Sequence, residues 1–287
     1  MQATFPLGTR VVRRIGFGAM QLPGPGVFGP PRDRPEAVRV VRRAVELGVD
    51  HIDTAQYYGP DVANEVLREA LHPFPETLTL VSKVGAARDA TGGWLPAGRP
   101  EQLRSGVLDN LRSLGVDRLG AVNLRLLDPG HGTPEVSFDE QLDAMIAMRE
   151  EGLIEGVGLS NINEEQLRYA LERTDIACVQ NPFNLIDRAG TPLLRACEQR
   201  GIAFVPFFPL GASFGANRLL GNADLVAVAQ RLGATPAQVA LAWVLALAPN
   251  TLLIPGTASV AHLEENLAAG AVVLDDKSLE VLDAIGS

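Results

Sequence analysis

Six side chains able to move or stabilise a proton stand near the ends of apolar runs. HIDTAQYYGP (51–60) carries Asp53, Tyr57 and Tyr58; SKVG (82–85) carries Lys83; AVNLRLLD (121–128) carries Asn123 and Arg125. A charge buried alone costs several kcal/mol, so such groups should pair, and Asp53 with Lys83 is the natural pair. A free tyrosine titrates near about 10, too high for strong acid or base work at neutral pH. A neighbouring ammonium favours the phenolate and lowers that value. The expected chemistry is general acid catalysis, with Asp53 holding Lys83 and Lys83 tuning Tyr58. Two other readings use the same residues. Ion pairs can simply rim a barrel, with the tyrosines packing. A desolvated Lys83 could form a Schiff base as a lyase nucleophile, although Asp53 would keep it charged.

The elements that must position these groups alternate. Apolar runs at 13–20, 49–54, 78–85, 119–126, 154–161, 176–183, 202–209 and 251–257 read as strands. Segments 34–48, 100–115 and 137–152 between them repeat apolar residues at spacings of three and four, as helices do. Gly48, Gly115, Gly152 and Gly201 each follow a helical pattern, where a left-handed cap is needed. Thr235-Pro236 reads as an N-cap and first turn within the helical stretch 231–249. Eight strand–helix units predict an α/β fold, a (β/α)8 TIM barrel spanning residues 1–287 as one domain. An open doubly wound sheet is the alternative. TFPLGTRVV near the start reads as an N-terminal β-hairpin turning at Gly8-Thr9 and covering the barrel bottom. Segments 22–34 and 85–98 are rich in Gly and Pro and read as loops. Both follow strand C-terminal ends, where barrel enzymes build active sites.

Strand side chains alternate faces. His51 shares a face with Asp53, Val81 with Lys83, Ala121 with Asn123 and Arg125, and Cys178 with Gln180. Val122, Leu124 and Leu126 form the opposite, apolar face of their strand, which should meet the helices. The polar set should then point into the barrel.

Composition narrows the partners. The chain has 287 residues, 46% hydrophobic and 21% charged, with net charge −9 and a pI near 5.0. Nucleic acid and anionic membranes want basic surfaces and are not expected. Two cysteines, Cys178 and Cys197, with no CxxC and no clustered His, point away from a disulfide scaffold or metal site and toward the cytoplasm. No signal-peptide core or run of about 18 apolar residues is present.

The motifs GFGAM (16–20), DTAQYYG (53–59), SKVG (82–85), GLSN (158–161), FFPLG (207–211) and IPGTASVAHLEEN (254–266) together resemble the aldo-keto reductases over nearly the whole length. The resemblance implies a (β/α)8 barrel that binds NADPH and transfers hydride from nicotinamide to a carbonyl carbon while a tyrosine protonates the oxygen. By spacing that tyrosine is Tyr58, supported by Asp53 and Lys83. Ser160, Asn161 and Gln180 match residues that hold the nicotinamide carboxamide, and Phe207 matches the aromatic that stacks on its ring. Leu210 and Gly211 fall on the pyrophosphate loop. Gly256, Thr257, Ser259, His262, Glu265 and Asn266 match the adenosine end.

The chain departs from that pattern in two places. Arg125 stands where the family usually has His; it is permanently charged and offers five donors. It is expected to bind a developing oxyanion and to depress Tyr58 further. His262 and Gly256 replace the Arg and Lys that often clasp the 2′-phosphate. Segments 18–34 and 122–125, VPFFPLG and LLIPGTASVAHL further resemble a bacterial subgroup, the pyridoxal reductases. That implies a small carbonyl substrate, pyridoxal reduced to pyridoxine, with Arg125 holding the phenolic oxygen. A general reductase of other small carbonyls, or a cofactor-binding regulatory subunit with little turnover, are the rival functions. Phe28, Tyr57 and Trp94 are expected at the substrate rim, with His131 a weaker candidate.

Overall fold

The computed structural model describes residues 3–127, 136–211 and 216–286, so His131 lies outside the described residues. The N-terminal hairpin is present: β1 (Thr4–Leu7) pairs antiparallel with β2 (Arg10–Arg13). Gly8 at the turn has φ +60°, a left-handed conformation that glycine adopts without a steric penalty.

Seven strands then run parallel: β3 (Phe17–Gly18), β4 (His51–Asp53), β5 (Thr79–Arg88), β7 (Ala121–Arg125), β8 (Val157–Ser160), β9 (Ile176–Gln180) and β10 (Ala203–Phe204), paired in that order. The predicted eighth strand, 251–257, is reduced to parallel bridges. Thr251 pairs with Phe204, Leu253 with Ile15 and Gly256 with Gly18. These bridges join the two sheet edges, so the sheet is a closed barrel and the open alternative is ruled out. Glycines make the closure possible. A Cβ on Gly18 would lie 2.4 Å from the Ile254 carbonyl oxygen, and one on Gly256 would lie 2.6 Å from that of Gly18.

The helices are α1 (Arg34–Glu46), α2 (Val62–Leu71), α3 (Pro100–Leu114), α4 (Phe138–Glu150), α5 (Glu164–Leu171), α6 (Thr191–Gln199), α7 (Ala216–Leu220), α8 (Ala223–Leu232), α9 (Pro236–Leu247), α10 (Val260–Ala268) and α11 (Asp276–Ala284). Their ends follow the sequence signals. Thr235 caps α9 by accepting from the Gln238 amide, while Gln238 reaches back to the Thr235 amide, a reciprocal capping box. Gly48, Gly115, Gly152 and Gly201 all have positive φ.

Segment 85–98, expected as a loop, is a second hairpin. β5 continues past the barrel mouth to Arg88 and turns back as β6 (Trp94–Ala97). The turn is made by Asp89, whose Oδ1 accepts from the amides of Thr91 and Gly93 at 2.8 Å each. The Asp-Ala-Thr-Gly-Gly run dominates the composition of the segment and hides the short flanking strands.

Side chains divide largely by alternation, except on β9, where a register shift against β8 puts the adjacent Ala177 and Cys178 in one cluster. Val81, Ala121, Ala177, Cys178, Ala203, Val205 and Leu252 form an inner cluster that Leu7 and Val12 of the hairpin close from below. Ile52, Val122 and Leu124 belong to the larger cluster under the helices. Two polar groups on that outer face are satisfied there. Thr54 donates to Asn64 of α2 at 2.7 Å, and Ser82 donates to Asn110 of α3 at 2.6 Å. Asn64 in turn donates to Asn110 at 3.0 Å. This buried network ties β4 and β5 to two helices and fixes the strands that carry Asp53 and Lys83. Among the described residues no helix is long and apolar enough to cross a membrane.

Candidate active site

The inward polar residues meet at the C-terminal mouth of the barrel. Lys83 Nζ donates to Asp53 Oδ1 and, at 3.1 Å, to the Thr54 carbonyl oxygen. Gln180 Nε2 donates to Asp53 Oδ2 at 2.6 Å. Both carboxylate oxygens are therefore engaged, and Asp53 and Lys83 are each almost fully buried. Removing either partner would leave a charge in a low-dielectric site, which costs about 3–5 kcal/mol.

Lys83 lies over the ring of Tyr58, with Nζ 5.1 Å from the ring centroid. The expected direction of Tyr58 ionisation is corrected here. Its phenol is pushed up from the ordinary value, first by burial and then by the Asp53 charge; Arg125 opposes this and does not win. Burial of the phenol is the larger effect and the Asp53 carboxylate adds to it, so together they outweigh the Arg125 cation. Tyr58 accordingly keeps its proton through the neutral range. Tyr57 is buried beside it, ring centroids 5.4 Å apart and edge-on, and its hydroxyl has no hydrogen-bond partner.

Arg125 ends β7 at the level of Ser160, which in turn is level with Gln180. Its Nη1 donates to Ser160 Oγ at 3.2 Å, and its guanidinium sits 4.7 Å from the centroid of the Phe207 ring. It has no carboxylate partner among the described residues. Asn161 follows β8 with φ +61°, and its side-chain amide donates to the Leu126 carbonyl oxygen at 2.9 Å. Gln180 Oε1 is buried without a partner.

A cavity of about 940 Å³ opens over Tyr58, Lys83 and Arg125, while Asp53, Ser160, Asn161 and Gln180 stand behind its lining. Tyr57, Tyr58, Lys83, Trp94, Arg125, Phe207 and Gly211 line it at the mouth. Its other end runs past Gln21 and Arg32 to Gly256, Thr257 and Ala258. That volume lies at the upper end of small-ligand sites. Of the remaining expected residues, Leu210 packs against the helix-side core. Ser259 caps α10, accepting from the His262 amide at 3.5 Å. Glu265 accepts from Thr235 Oγ1 at 2.6 Å. Asn266 is buried and His262 exposed. Phe28 does not line the cavity among the described residues; its ring lies against the Arg88 guanidinium instead.

Sequence reasoning missed Arg32, Met20 and Phe208 in the lining. Arg32 was concealed inside a proline-rich loop, where no periodicity assigns a face. Among the described residues no group of three His, Cys, Asp or Glu is placed to hold a metal.

A protonated phenol and a guanidinium with no carboxylate partner among the described residues, facing one cavity, can protonate and stabilise an oxygen that gains negative charge. Comparisons with known proteins give the family. The aldo/keto reductase family model matches residues 14–287. Pyridoxine 4-dehydrogenase of Escherichia coli is 50% identical over 283 residues, covering 98% of both chains. An uncharacterized oxidoreductase of Schizosaccharomyces pombe is 39% identical, covering 99% of this chain and 90% of its own. The crystal structure of an aldo/keto reductase from Klebsiella pneumoniae with NADP and acetate superimposes with a TM-score of 0.83 at 28% identity, covering 100% of this chain and 97% of that one.

Proposed function

The chain belongs to the aldo/keto reductase family and is an NADP-dependent oxidoreductase; we propose that it reduces pyridoxal to pyridoxine, with Tyr58 as proton donor. The observation that carries this reading is the placing of Tyr58, held protonated by burial, and of Arg125, which meets no carboxylate among the described residues, on the wall of one cavity. The 50% identity to a pyridoxine 4-dehydrogenase supports the substrate.

Several residues fit a nicotinamide. Gln180 Oε1 is an orphaned buried acceptor suited to a carboxamide N–H. Ser160 and Asn161 border it through the β8–β9 pairing, and the Phe207 ring offers a flat face. Gly211, Gly256 and Thr257 line the path toward the adenosine end, with Leu210, Ser259, His262, Glu265 and Asn266 completing the proposed cofactor set. NADPH held by these residues would supply a hydride for the carbonyl carbon. As the carbonyl π electrons shift to oxygen, Tyr58 gives that oxygen its hydroxyl proton. The resulting phenolate regains a proton from solvent after the product leaves. Asp53 and Lys83 hold Tyr58 from beneath, since Lys83 is fixed by Asp53 and lies over the ring.

Pyridoxal carries a phenolic oxygen beside its aldehyde. Arg125 holds that oxygen through its fork of N–H donors, a charge-assisted contact stronger than a neutral hydrogen bond. Tyr57 and Trp94 wall the substrate end. The same reading treats residues 1–287 as one barrel unit and places the chain in the cytoplasm, consistent with two free, buried cysteines.

The test is a panel of aldehydes including pyridoxal, mixed with protein and NADPH and followed at the reduced-nicotinamide absorbance band. Pyridoxal should be the best substrate, and Tyr58→Phe should lower turnover by roughly 10²–10⁴-fold. Turnover of other aldehydes but not pyridoxal would remove the substrate assignment. No oxidation with any carbonyl would remove the reaction itself.

A further inference from the structure

Arg88 stands on β5 beyond the barrel mouth and has no role in the chemistry above. Its guanidinium lies between two aromatic rings, 4.1 Å from the Trp94 centroid and 5.5 Å from that of Phe28. Its Nη2 donates to the Gly26 carbonyl oxygen at 2.8 Å. Nε and Nη1 are buried with no hydrogen-bond partner among the described residues. Leaving two guanidinium donors unsatisfied carries a desolvation cost, so the stack between the rings must compensate for it.

The contacts join two segments that approach the cavity separately. Segment 22–33 is tied by backbone bonds to Gly59, next to Tyr58: the Gly29 amide donates to the Gly59 carbonyl at 2.9 Å, and the Gly59 amide to Val27 at 3.2 Å. The hairpin of β5 and β6 carries Trp94, cross-strand from Arg88. Gly26 and Trp94 both line the cavity, while Arg88 and Phe28 stand behind them. The edge of Trp94 meets Tyr57 at 5.5 Å between centroids. The hairpin turn also allows for Phe28: a Cβ on Gly92 would lie 3.0 Å from its ring.

We propose that Arg88 is a positioning residue for substrate selection, a clamp that fastens the hairpin to segment 22–33 and so holds Trp94 against Tyr57 as a fixed pocket wall. Only a flat, permanently charged group serves. A guanidinium stacks on two rings while its edge donates to Gly26, and a lysine ammonium has no such plane. The clamp acts on the fit of the carbonyl substrate and not on the proton donor, whose Asp53–Lys83 support lies deeper in the barrel. This inference rests on the cavity being the substrate pocket of the proposed reductase.

The test compares wild type with Arg88→Met and Trp94→Ala, alone and combined. Arg88→Met should raise KM for the aldehyde about tenfold, the loss expected from two aromatic contacts to a desolvated cation, with kcat and NADPH affinity changed by less than about twofold. Acrylamide quenching of tryptophan emission reads the wall without any substrate. Trp243 is 1% exposed and gives a constant background, so Arg88→Met should increase quenching through Trp94 alone. In the Trp94→Ala background, Arg88→Met should move KM by less than about twofold, because coupled residues do not add. Unchanged KM or unchanged quenching in Arg88→Met overturns the clamp. So does a joint fall of kcat, NADPH affinity and melting temperature, which marks a general loss of structure. If wild type reduces no carbonyl, the functional reading fails by itself, and the quenching result still decides the clamp.

Discussion

The two ends of the main cavity are built on different terms. At the barrel mouth, Asp53, Lys83 and Gln180 are buried and each is bonded to another member of the set. At the α10 end, the residues expected to hold the adenosine are already employed in the fold. Ser259 caps the helix, and Glu265 holds Thr235 at the start of α9. The cations near the α10 end are engaged by carboxylates, Arg39 by Glu36 and Arg43 by Glu264, while Arg32 lines the cavity. His262 is exposed, and the Glu36 carboxylate accepts from the Val260 amide at 3.3 Å, at the first turn of α10. In the proposed reaction the mouth supplies the chemistry from buried, mutually bonded groups. The far end offers helix-terminal and backbone groups together with Arg32. The proposed reaction therefore draws on more firmly held side chains than a preference for a 2′-phosphate would.

The contrast breaks most severely at the mouth. Asp53→Asn should cost about 3–5 kcal/mol of stability by leaving Lys83 unpaired in the interior, read as a lower midpoint in urea, and turnover should fall with it. A midpoint within experimental error of wild type would mean that Lys83 finds water, and the mouth is not the closed site described. A pH profile gives the next largest effect. The folded phenol of Tyr58 is raised above its free value, so its proton is present below that value and lost only as pH rises through it. Carbonyl reduction should stay flat between about pH 6 and 9. Oxidation of pyridoxine, which needs the phenolate, should rise roughly tenfold per pH unit over that range. A reduction rate that falls from pH 7 upward would contradict the raised phenol.

Arg125→His sharpens the comparison within the mouth. It should weaken kcat/KM on pyridoxal about tenfold more than on a neutral benzaldehyde of similar size, since only pyridoxal offers an anionic oxygen to a charged fork. Equal losses would leave Arg125 with a role toward the carbonyl oxygen alone. The smallest effect belongs to the α10 end. His262→Arg and Glu36→Gln should each tighten NADPH about two- to fivefold and leave NADH unchanged, as expected for exposed charges in high dielectric. Fluorescence titration of the cofactor reads both, and an equal gain for NADH would place neither residue near the 2′-phosphate.

How far the sequence could be read depended on periodicity. The inward set followed from alternation alone, because a two-residue repeat assigns every side chain a face once one face is apolar. Asp53, Lys83, Arg125 and Gln180 emerged together that way, and the structure brings them together at one mouth. The direction of Tyr58 ionisation was misread, because the sequence pairs Asp53 with Lys83 but does not show how completely the phenol is buried. The 85–98 hairpin and the place of Phe28 were hidden by turn residues, which mask short strands and assign no face. The eighth strand was legible as an apolar run but not as isolated bridges, since close backbone approach at Gly18 and Gly256 is a three-dimensional fact.

The central claim is that Tyr58 stands protonated at a pre-built mouth and delivers that proton to the carbonyl oxygen. A single-turnover reaction tests it most directly: enzyme in excess, NADPH bound, pyridoxal added, wild type against Tyr58→Phe, with cofactor affinity measured on both. The account predicts equal NADPH binding and a hydride-transfer rate lower by roughly 10²–10⁴-fold in the variant. Equal binding with an unchanged rate would contradict it and hand the proton to another group at the mouth.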